Sequence, residues 1–401
     1  MQRNDQPVLL VLDDDQEIVD VICTIGAQAG FRPVGSAATT PKELQTALAA
    51  SRPDVIVLDL QMPGQDGVTT LRYLADAGVP ARVLLVTGMD ERTIGAAEQY
   101  GLRRGLQVLG TLQKPFDPDD LLAQLERAHA ALRPITPADL QNAITHDELM
   151  LYYQPTIRRF ADGTWDVAAV EALLRWKHPI RGILAPDSFI PMGEAHGLSR
   201  AMTDWVIQHG VEQLKGWQAS RLRVGLRINI AAKLIADVAF PDRLETILAE
   251  HALHPDMLTL EVTETATLDQ TPETLDILTR LRIKEINLAI DDFGIGYSSL
   301  TQLFRMPFNE MKIDKSLVCK IPESKEAAIM VDALVGLAHK LNLTVCAEGV
   351  ENRETLEMLG RFGSDCAQGF YISPPVPAAE IPRIIAAWDQ KQRPAAQADV
   401  G

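Results

Sequence analysis

Residues 8–15 read VLLVLDDD and residues 55–60 read VIVLDL, so that in each case an unbroken apolar run ends at an aspartate. Uninterrupted apolar runs of this length are typical of strands buried on both faces, as in a parallel sheet covered by helices. The stretch RVLLVTG at 82–88 repeats the pattern, and amphipathic segments separate the three runs. This alternation predicts a doubly wound α/β unit with a parallel sheet.

The alternation is interrupted at 133–137, where RPITP has two prolines within four positions. Proline breaks a helix interior, so the sequence predicts a first domain over 1–130 and a linker over 131–139. Alternation resumes over 140–385. A domain of that length, with alternating strands and helices and with polar residues at the strand ends, predicts a (β/α)8 barrel. The Gln-, Ala- and Pro-rich segment 386–401 is expected to be a flexible tail. The strands predicted in the second domain are 166–172, 223–230, 258–262, 286–291, 310–313, 343–347 and 369–372.

The composition is that of a globular protein, with 46% hydrophobic and 23% charged residues among 401. A formal net charge of −16, from 38 basic and 54 acidic residues, argues against DNA as a partner. The four cysteines are far apart and lack the spacing of a zinc site or a disulfide framework. With no export signal and no apolar stretch long enough to span a bilayer, we expect a cytoplasmic protein without membrane insertion.

Acidic residues stand at the predicted strand ends of the first domain. Asp13 and Asp14 follow the first strand, and Asp59 ends the third. In a doubly wound sheet these ends meet at one crevice, and three carboxylates there form a hard-oxygen site for Mg²⁺. Thr87 and Lys114 end the fourth and fifth strands, so Asp59 is a candidate to carry a phosphoryl group. Each of these five residues alone is more simply a turn former or a helix cap. Together, at successive strand ends, they favour a phosphoryl-accepting metal site.

The first domain resembles response-regulator receiver domains, which have the flavodoxin-like fold. The resemblance rests on LDDD at 12–15, LDLQMPGQDG at 58–67, VTG at 86–88 and KPF at 114–116. It implies that a sensor histidine kinase phosphorylates Asp59, that Asp13, Asp14 and Asp59 hold one Mg²⁺, and that Thr87 and Lys114 sense the phosphoryl group. Thr111 stands where the family often has an aromatic switch residue. The resemblance therefore implies intact phosphorylation chemistry and a weakened switch.

Polar residues also recur at the predicted strand ends of the second domain, where a barrel would bring them to one face. Carboxylates with one amide, and no His or Cys, favour Mg²⁺ or Mn²⁺ over zinc. The adjacent pair Asp291 and Asp292 suits two cations about 3.5–4 Å apart, the arrangement of two-metal phosphoryl chemistry. Singly, most of these residues could be caps, turn formers or core amides, and His178 an ordinary loop histidine. The residues are Glu171, Asn229, Glu261, Glu264, Asp291, Asp292, Lys312, Asp314, Glu348 and Gln368.

The second domain closely resembles the EAL domain family, whose members open the dinucleotide cyclic di-GMP. The motifs occur in family order: YYQP at 152–155, EALLRWKHP at 171–179, FIPMGEAHGL at 189–198, INIAAKL at 228–234, LEVTET at 260–265, IDDFGIGYSSL at 290–300, MKIDKSLV at 311–318, AEGVE at 347–351 and AQGFYISPP at 367–375. Ile295 replaces the usual Thr or Ala, and INIAA replaces the frequent NxS. Neither departure removes a ligand.

This resemblance implies a role for each matching residue. Glu171, Asn229, Glu261 and Asp291 would bind the first metal ion, and Asp291, Asp292 and Glu348 would surround the second. Lys312 would orient the attacking hydroxide, Glu348 would also be the general base, and Asp314 and Gln368 would support the cluster. Arg175 and Gln154 would face the substrate. Glu264 would anchor the loop 291–300, which the family uses for metal binding and for dimer contacts.

The implied activity is hydrolysis of cyclic di-GMP to linear 5′-pGpG with two Mg²⁺ or Mn²⁺ ions, regulated by the receiver domain. The implied partners are cyclic di-GMP, a sensor histidine kinase and a second copy of the chain. Two other hypotheses stay open at this point. The barrel could be a non-catalytic cyclic di-GMP receptor, or the protein could act only through protein contacts. Either would be expected to have lost metal ligands, and all of them are present in the sequence.

Overall fold

The computed structural model describes residues 6–36, 40–62, 65–264, 271–294 and 305–392. The chain divides into two compact units, Met1–Pro134 and Ile135–Gly401. Among the helices within the described ranges, none has both the length and the apolar character needed to cross a membrane.

The first unit is built on a five-stranded parallel sheet with the order β2-β1-β3-β6-β7. This confirms the predicted doubly wound receiver fold. A short two-stranded pairing, β4 with β5, lies outside that sheet. The elements are β1 (Val8–Leu12), α1 (Gln16–Gln28), β2 (Arg32–Ser36), α2 (Pro41–Ser51), β3 (Val55–Asp59), β4 (Gln61–Met62), β5 (Gln65–Asp66), α3 (Gly67–Asp76), β6 (Arg82–Thr87), α4 (Glu91–Arg103), β7 (Gln107–Gln113) and α5 (Pro118–Leu132).

The apolar runs of β1 and β3 are unbroken because both faces of the sheet are covered. Leu10 and Leu58 belong to one buried cluster, whereas Leu9 and Val57 belong to a second cluster. Successive side chains of a strand point to opposite faces, so each strand supplies both cores in alternation. The strands are thereby fixed, and their carboxyl ends are held at one edge of the sheet.

The second unit is a closed eight-stranded barrel with the order β9-β11-β12-β13-β14-β15-β16-β8, in which β8 also pairs with β9. This confirms the predicted barrel. The elements are α6 (Pro137–Thr145), β8 (Leu149–Arg159), β9 (Trp165–His178), β10 (Gly182–Leu184), α7 (Ile190–Ala195), α8 (Ser199–Ala219), β11 (Gly225–Asn229), α9 (Phe240–Glu250), β12 (Leu258–Thr263), α10 (Pro272–Ile283), β13 (Asn287–Phe293), β14 (Glu310–Ile313), α11 (Lys315–Val318), α12 (Lys325–Lys340), β15 (Thr344–Ala347), α13 (Arg353–Phe362), β16 (Cys366–Gln368), β17 (Val376–Pro377) and α14 (Ile381–Gln392).

The barrel is not made of eight equivalent βα repeats. Strand β8 runs antiparallel to both of its neighbours, β9 and β16, while β9 and β11 to β16 pair in parallel. The strand predicted at 369–372 is instead β16, at Cys366–Gln368. Gly369 directly follows this strand, and only glycine fits there, because a Cβ at this position would lie 2.2 Å from the backbone nitrogen of Val350.

The ends of the second unit differ from the predicted bounds. Helix α5 continues to Leu132 and α6 begins at Pro137, so the interruption is shorter than the predicted linker. Helix α14 continues to Gln392, past the predicted start of the tail at residue 386. Trp388 stabilises this last helix, because its indole is buried and its Nε1 donates a 2.7 Å hydrogen bond to the carbonyl of Trp165.

Candidate functional site

The first unit has a carboxylate cluster where β1 and β3 end. Asp13 directly follows β1, Asp59 is the last residue of β3, and the two strands are neighbours in the sheet. Ligand oxygens of Asp13, Asp14 and Asp59 all lie within 4.8 Å of one another. Three carboxylates at this spacing are a donor set that suits Mg²⁺.

Lys114 supplies the positive charge beside this cluster. Its Nζ donates hydrogen bonds to Asp13 Oδ2 at 2.7 Å and to Asp59 Oδ2 at 2.8 Å. Burial raises the pKa of Asp13, although the hydrogen bond from Lys114 opposes that shift. Thr87 is fully buried beside Lys114, whose backbone nitrogen donates to the Thr87 carbonyl at 2.7 Å. Thr111 lies half-buried in β7.

Lys312 forms the centre of the site in the second unit. It lies on β14 with 1% of its side chain exposed, and the carboxylates around it come from four other strands or strand ends. Its Nζ lies 2.6 Å from Glu261 Oε2, 2.7 Å from Glu348 Oε1, 3.2 Å from Asp291 Oδ1 and 3.8 Å from Glu171 Oε2.

Burial and mutual repulsion set the charges of this cluster. Burial raises the pKa of Glu171, of Asp291 and, to about 8, of Glu348. Burial also disfavours the Lys312 ammonium, but the surrounding carboxylates outweigh it and raise the pKa of Lys312. Glu261 behaves differently from the other acids. The effect of its burial is outweighed by two cations, Lys312 and Arg227, so the pKa of Glu261 is lowered.

Asp291 and Asp292 occupy an irregularity in β13. The register against β14 shifts between Ile290 and Phe293, so that extra backbone is accommodated on the β13 side. Asp292 has a φ of 58°, in the left-handed region that non-glycine residues seldom adopt. A bulge re-aims side chains that would otherwise point to opposite faces of the strand. Ligand oxygens of Asp291, Asp292 and Glu348 consequently lie within 4.8 Å of one another.

Two amides hold Glu171 in place. Asn229 Nδ2 donates to Glu171 Oε1, and Gln368 Nε2 donates to Glu171 Oε2, both over 2.6 Å. Glu171 was predicted at a strand end, but β9 continues to His178 because it pairs with the long antiparallel strand β8. Glu171 therefore lies mid-strand, level with Arg227, the middle residue of its parallel neighbour β11.

Gln154 and Arg175, both predicted to face the substrate, have different surroundings. Gln154 is buried; its Nε2 donates to the Ser373 carbonyl at 3.1 Å and its Oε1 accepts from Gln368 at 3.1 Å. The structure thus joins Gln154 to the cluster through Gln368. The guanidinium of Arg175 donates to the Leu174 carbonyl at 2.9 Å and lies over the ring of Tyr152, 5.4 Å from its centroid.

Asp314 and Glu264 hold the backbone around the cluster. Asp314 caps α11, since its Oδ1 accepts a 2.7 Å hydrogen bond from the backbone nitrogen of Ser316. Glu264 Oε2 accepts from the backbone nitrogen of Gly294 at 3.4 Å, within the segment that Glu264 was predicted to anchor. Ile295 and the remainder of the loop 291–300 lie outside the described residues.

Sequence reasoning overlooked three buried polar residues of the barrel interior: Thr156, Arg227 and Glu310. Thr156 Oγ1 donates to Gln368 Oε1 at 3.0 Å. Arg227 Nε donates to Glu261 Oε1 at 2.6 Å, and its other nitrogens donate to Glu310. A signal was available, because residues two apart on a strand share a face. Arg227 precedes Asn229 by two positions, and Glu310 precedes Lys312 by two.

A largely apolar cavity of about 600 Å³ opens beside Asn229. Ile190 and Glu194 line it, and both belong to the motif FIPMGEAHGL at 189–198. The size is within the range of small-molecule sites, about 300–1,000 Å³.

The carboxylate cluster around Lys312 also fits divalent cations of the Mg²⁺ type, because its donors are carboxylates and one amide.

Comparisons with known proteins agree with this architecture. Residues 138–375 match the EAL domain model, and residues 9–126 match the response regulator receiver domain model. The cyclic di-GMP phosphodiesterase RocR of Pseudomonas aeruginosa is 30% identical over 338 residues, which cover 81% of this chain and 84% of RocR. The cyclic di-GMP phosphodiesterase NbdA of the same organism is 37% identical over 251 residues, 62% of this chain.

The chain spans about a third of the length of NbdA, 32%, and a similar share, 35%, of the bifunctional diguanylate cyclase/cyclic di-GMP phosphodiesterase MucR. Among solved structures, the MucR phosphodiesterase in complex with c-di-GMP superposes with a TM-score of 0.57 at 36% identity. That match covers 61% of this chain and 98% of the MucR chain. The barrel, its motifs and these matches together show that the chain belongs to the EAL domain family and carries a response regulator receiver domain at its amino-terminal side.

Proposed function

We propose that this protein is a response regulator that hydrolyses cyclic di-GMP to linear 5′-pGpG with two divalent cations, Mg²⁺ or Mn²⁺. The observation that carries the proposal is the cluster of Glu171, Glu261, Asp291 and Glu348 around the buried Lys312. Five ionisable side chains inside one barrel mouth are costly to bury, and such arrangements are characteristic of functional sites. Similarity to the cyclic di-GMP phosphodiesterases RocR and NbdA supports the same substrate.

The carboxylates and Asn229 divide between the two cations. Glu171, Asn229, Glu261 and Asp291 would hold the first ion, and Asp291, Asp292 and Glu348 would hold the second. When bound, the cations make a water nucleophilic near neutral pH and neutralise the phosphate charge. Water adds to phosphorus, the bond to one ribose 3′-oxygen breaks, and that oxygen leaves as a hydroxyl, so one phosphodiester opens.

The remaining residues position these groups. Lys312 would direct the attacking water, and Glu348, whose Oε1 lies 2.7 Å from Lys312 Nζ, would accept the proton of that water. Gln368 and Asn229 hold Glu171 by hydrogen bonds to its two oxygens. Asp314 fixes the backbone after β14. The cavity beside Asn229 would take one part of the substrate, and Arg175 and Gln154 would contact another part.

Control by the receiver domain is the second part of the proposal. A sensor histidine kinase would phosphorylate Asp59, with Mg²⁺ held by Asp13, Asp14 and Asp59, and with Thr87 and Lys114 contacting the phosphoryl group. The protein would work in the cytosol, where its cysteines stay reduced; all four are free. It would also form dimers through its EAL barrels.

Product analysis tests the proposal. Purified protein is incubated with cyclic di-GMP and Mg²⁺ or Mn²⁺, and the products are separated by chromatography with and without the phosphoryl analogue beryllofluoride. Appearance of 5′-pGpG, at a rate that beryllofluoride changes, is the expected result. Binding of cyclic di-GMP without any product would favour the receptor hypothesis, and neither binding nor turnover would favour a regulator that acts through protein contacts.

A further inference from the structure

Arg227 forms a second layer of charge beneath the carboxylate cluster of the barrel. It lies on β11 two residues before Asn229, and its side chain is 4% exposed. Its Nε donates to Glu261 Oε1 at 2.6 Å. Its Nη1 and Nη2 donate to the two carboxylate oxygens of Glu310 on β14. The guanidinium therefore joins Glu261 on β12 to Glu310 across the intervening strand β13.

The small residue Ala289 lies between the two acids on β13. The register places Ala289 opposite Glu261 on one side and opposite Glu310 on the other. Its side chain is a single methyl group, which leaves the path from Arg227 to Glu310 open. The ion pair is thus accommodated by the packing of the barrel interior and is shielded from solvent.

The two oxygens of Glu261 are engaged by different cations. Oε1 accepts from Arg227, and Oε2 accepts from Lys312 at 2.6 Å, on the side of Glu348 and Asp291. A planar guanidinium with several fixed donors restricts a carboxylate more than a single ammonium does. Because Arg227 holds Oε1 of Glu261, the other oxygen, Oε2, is directed toward Lys312 and the carboxylates around it.

We infer that Arg227, anchored by Glu310, is a positioning residue that fixes the rotamer of Glu261 for cation binding. The inference rests on the proposed function, which makes Glu261 a ligand of the first ion. Arg227 touches no cation or substrate in this scheme and acts through Glu261. Side chains that hold metal ligands in this way typically change metal affinity or activity by about 10–100-fold when removed.

The test compares Mn²⁺ binding among variants of the full chain, all of which, including the reference protein, carry Asp14→Asn and Asp59→Asn so that the receiver carboxylates do not add a second Mn²⁺ site. In Arg227→Met/Glu310→Met both charges are removed, so that no buried charge is left unpaired. Free Mn²⁺ is counted by electron paramagnetic resonance without substrate, and thermal unfolding is followed by circular dichroism. We expect Mn²⁺ affinity to fall about tenfold or more while unfolding stays cooperative. Arg227→Lys should restore part of the affinity.

Cys346→Ala is the matched control. Cys346 is fully buried and pairs with Lys312 in the register of β15 and β14, but no hydrogen bond joins it to Glu261. Its Mn²⁺ affinity should equal that of the wild type. Wild-type affinity in the double variant, or an equal loss in Cys346→Ala, would overturn the inference. If the double variant does not fold, the Mn²⁺ affinity of Arg227→Lys is compared with that of the wild type instead. An unchanged Mn²⁺ affinity in Arg227→Lys would overturn the inference.

This readout separates the inference from the proposed function. If the wild type binds Mn²⁺ but does not cleave cyclic di-GMP, the proposed function fails, while the comparison of Mn²⁺ affinities still decides the role of Arg227. If the wild type does cleave cyclic di-GMP and the double variant binds Mn²⁺ normally, the inference fails alone.

Discussion

Lys312 Nζ lies 2.7 Å from Glu348 Oε1 inside the barrel, and this ammonium lies within 3.8 Å of four carboxylates. Replacing it removes the positive charge that offsets their repulsion. We expect Lys312→Met to abolish turnover and to lower the free energy of unfolding by about 3–5 kcal/mol, the range for breaking a buried ion pair. Urea denaturation and a turnover assay would measure the two effects. Lys340→Met, at an exposed position on α12, is the control and should leave both unchanged.

Divalent cations should be required for hydrolysis. Mg²⁺ or Mn²⁺ should support turnover, and excess chelator should remove it. Ca²⁺ should inhibit, because its larger radius and looser coordination misplace the attacking water. Steady-state rates at fixed cyclic di-GMP over a series of metal concentrations give the answer. Cleavage that continues undiminished in chelator would contradict the two-metal proposal.

Two carboxylates of the cluster can be tested singly. Glu171→Ala removes a proposed metal ligand that Asn229 and Gln368 hold, and Glu348→Ala removes a second proposed ligand that is also the proposed base. Each should lower kcat by at least about 100-fold, because the lost group acts in the transition state. Glu354→Ala, at an exposed position of α13, is the matched control. Near-normal rates in both cluster variants would show that the site is misassigned.

The cysteines should differ sharply in reactivity. Cys319 is exposed, whereas Cys346 and Cys366 are buried, and burial raises the pKa of Cys366 to about 12. At pH 8 a thiol reagent should modify Cys319 first and reach Cys346 and Cys366 only on unfolding, because the thiolate is the reactive form. Time-resolved labelling followed by mass spectrometry would show the order. Rapid modification of Cys366 in the folded protein would contradict its burial.

The raised pKa of Cys366 also affects the stability of the protein at high pH. The folded pKa of Cys366 lies above its usual value of 9.0, so between these values the unfolded chain releases a proton that the folded chain keeps. Its contribution to stability is therefore complete below about pH 9 and is lost as the pH rises toward about 12. Cys366→Ala should reduce this loss, as seen by urea denaturation at pH 8 and pH 10.

Phosphorylation should change turnover only modestly. Thr111 replaces an aromatic switch residue, so we expect a coupling free energy of about 1–2 kcal/mol, at the low end of allosteric linkages. Because Glu264 contacts Gly294, close in sequence to Asp291 and Asp292, Glu264→Gln should lower activity and weaken the response. The values of kcat and KM are compared with and without beryllofluoride, with Asp59→Asn as the unresponsive control. A wild-type rate that beryllofluoride does not change would contradict the proposed control of turnover by phosphorylation.

The sequence by itself determined both folds and most of the candidate site. Apolar runs that end in acids predict parallel strands, and the carboxyl ends of parallel strands meet at one edge or mouth. This is why Asp13, Asp59 and Lys114 in one unit, and Glu261 and Lys312 in the other, could be grouped before their distances were known. The motifs IDDFGIGYSSL and AEGVE then identified the family of the barrel.

Tertiary structure alone decided the direction of β8, the bulge at Asp291 and Asp292, and the layer of charge around Arg227. A strand reads the same in sequence whether its neighbour runs parallel or antiparallel, since the side-chain period is the same in both. Arg227 and Glu310 are 83 residues apart, and an ion pair over that separation depends on the closure and register of the barrel. A short sequence pattern describes one strand and its ends. Contacts across the barrel interior depend on how all eight strands pair, so the pattern carries no information on them.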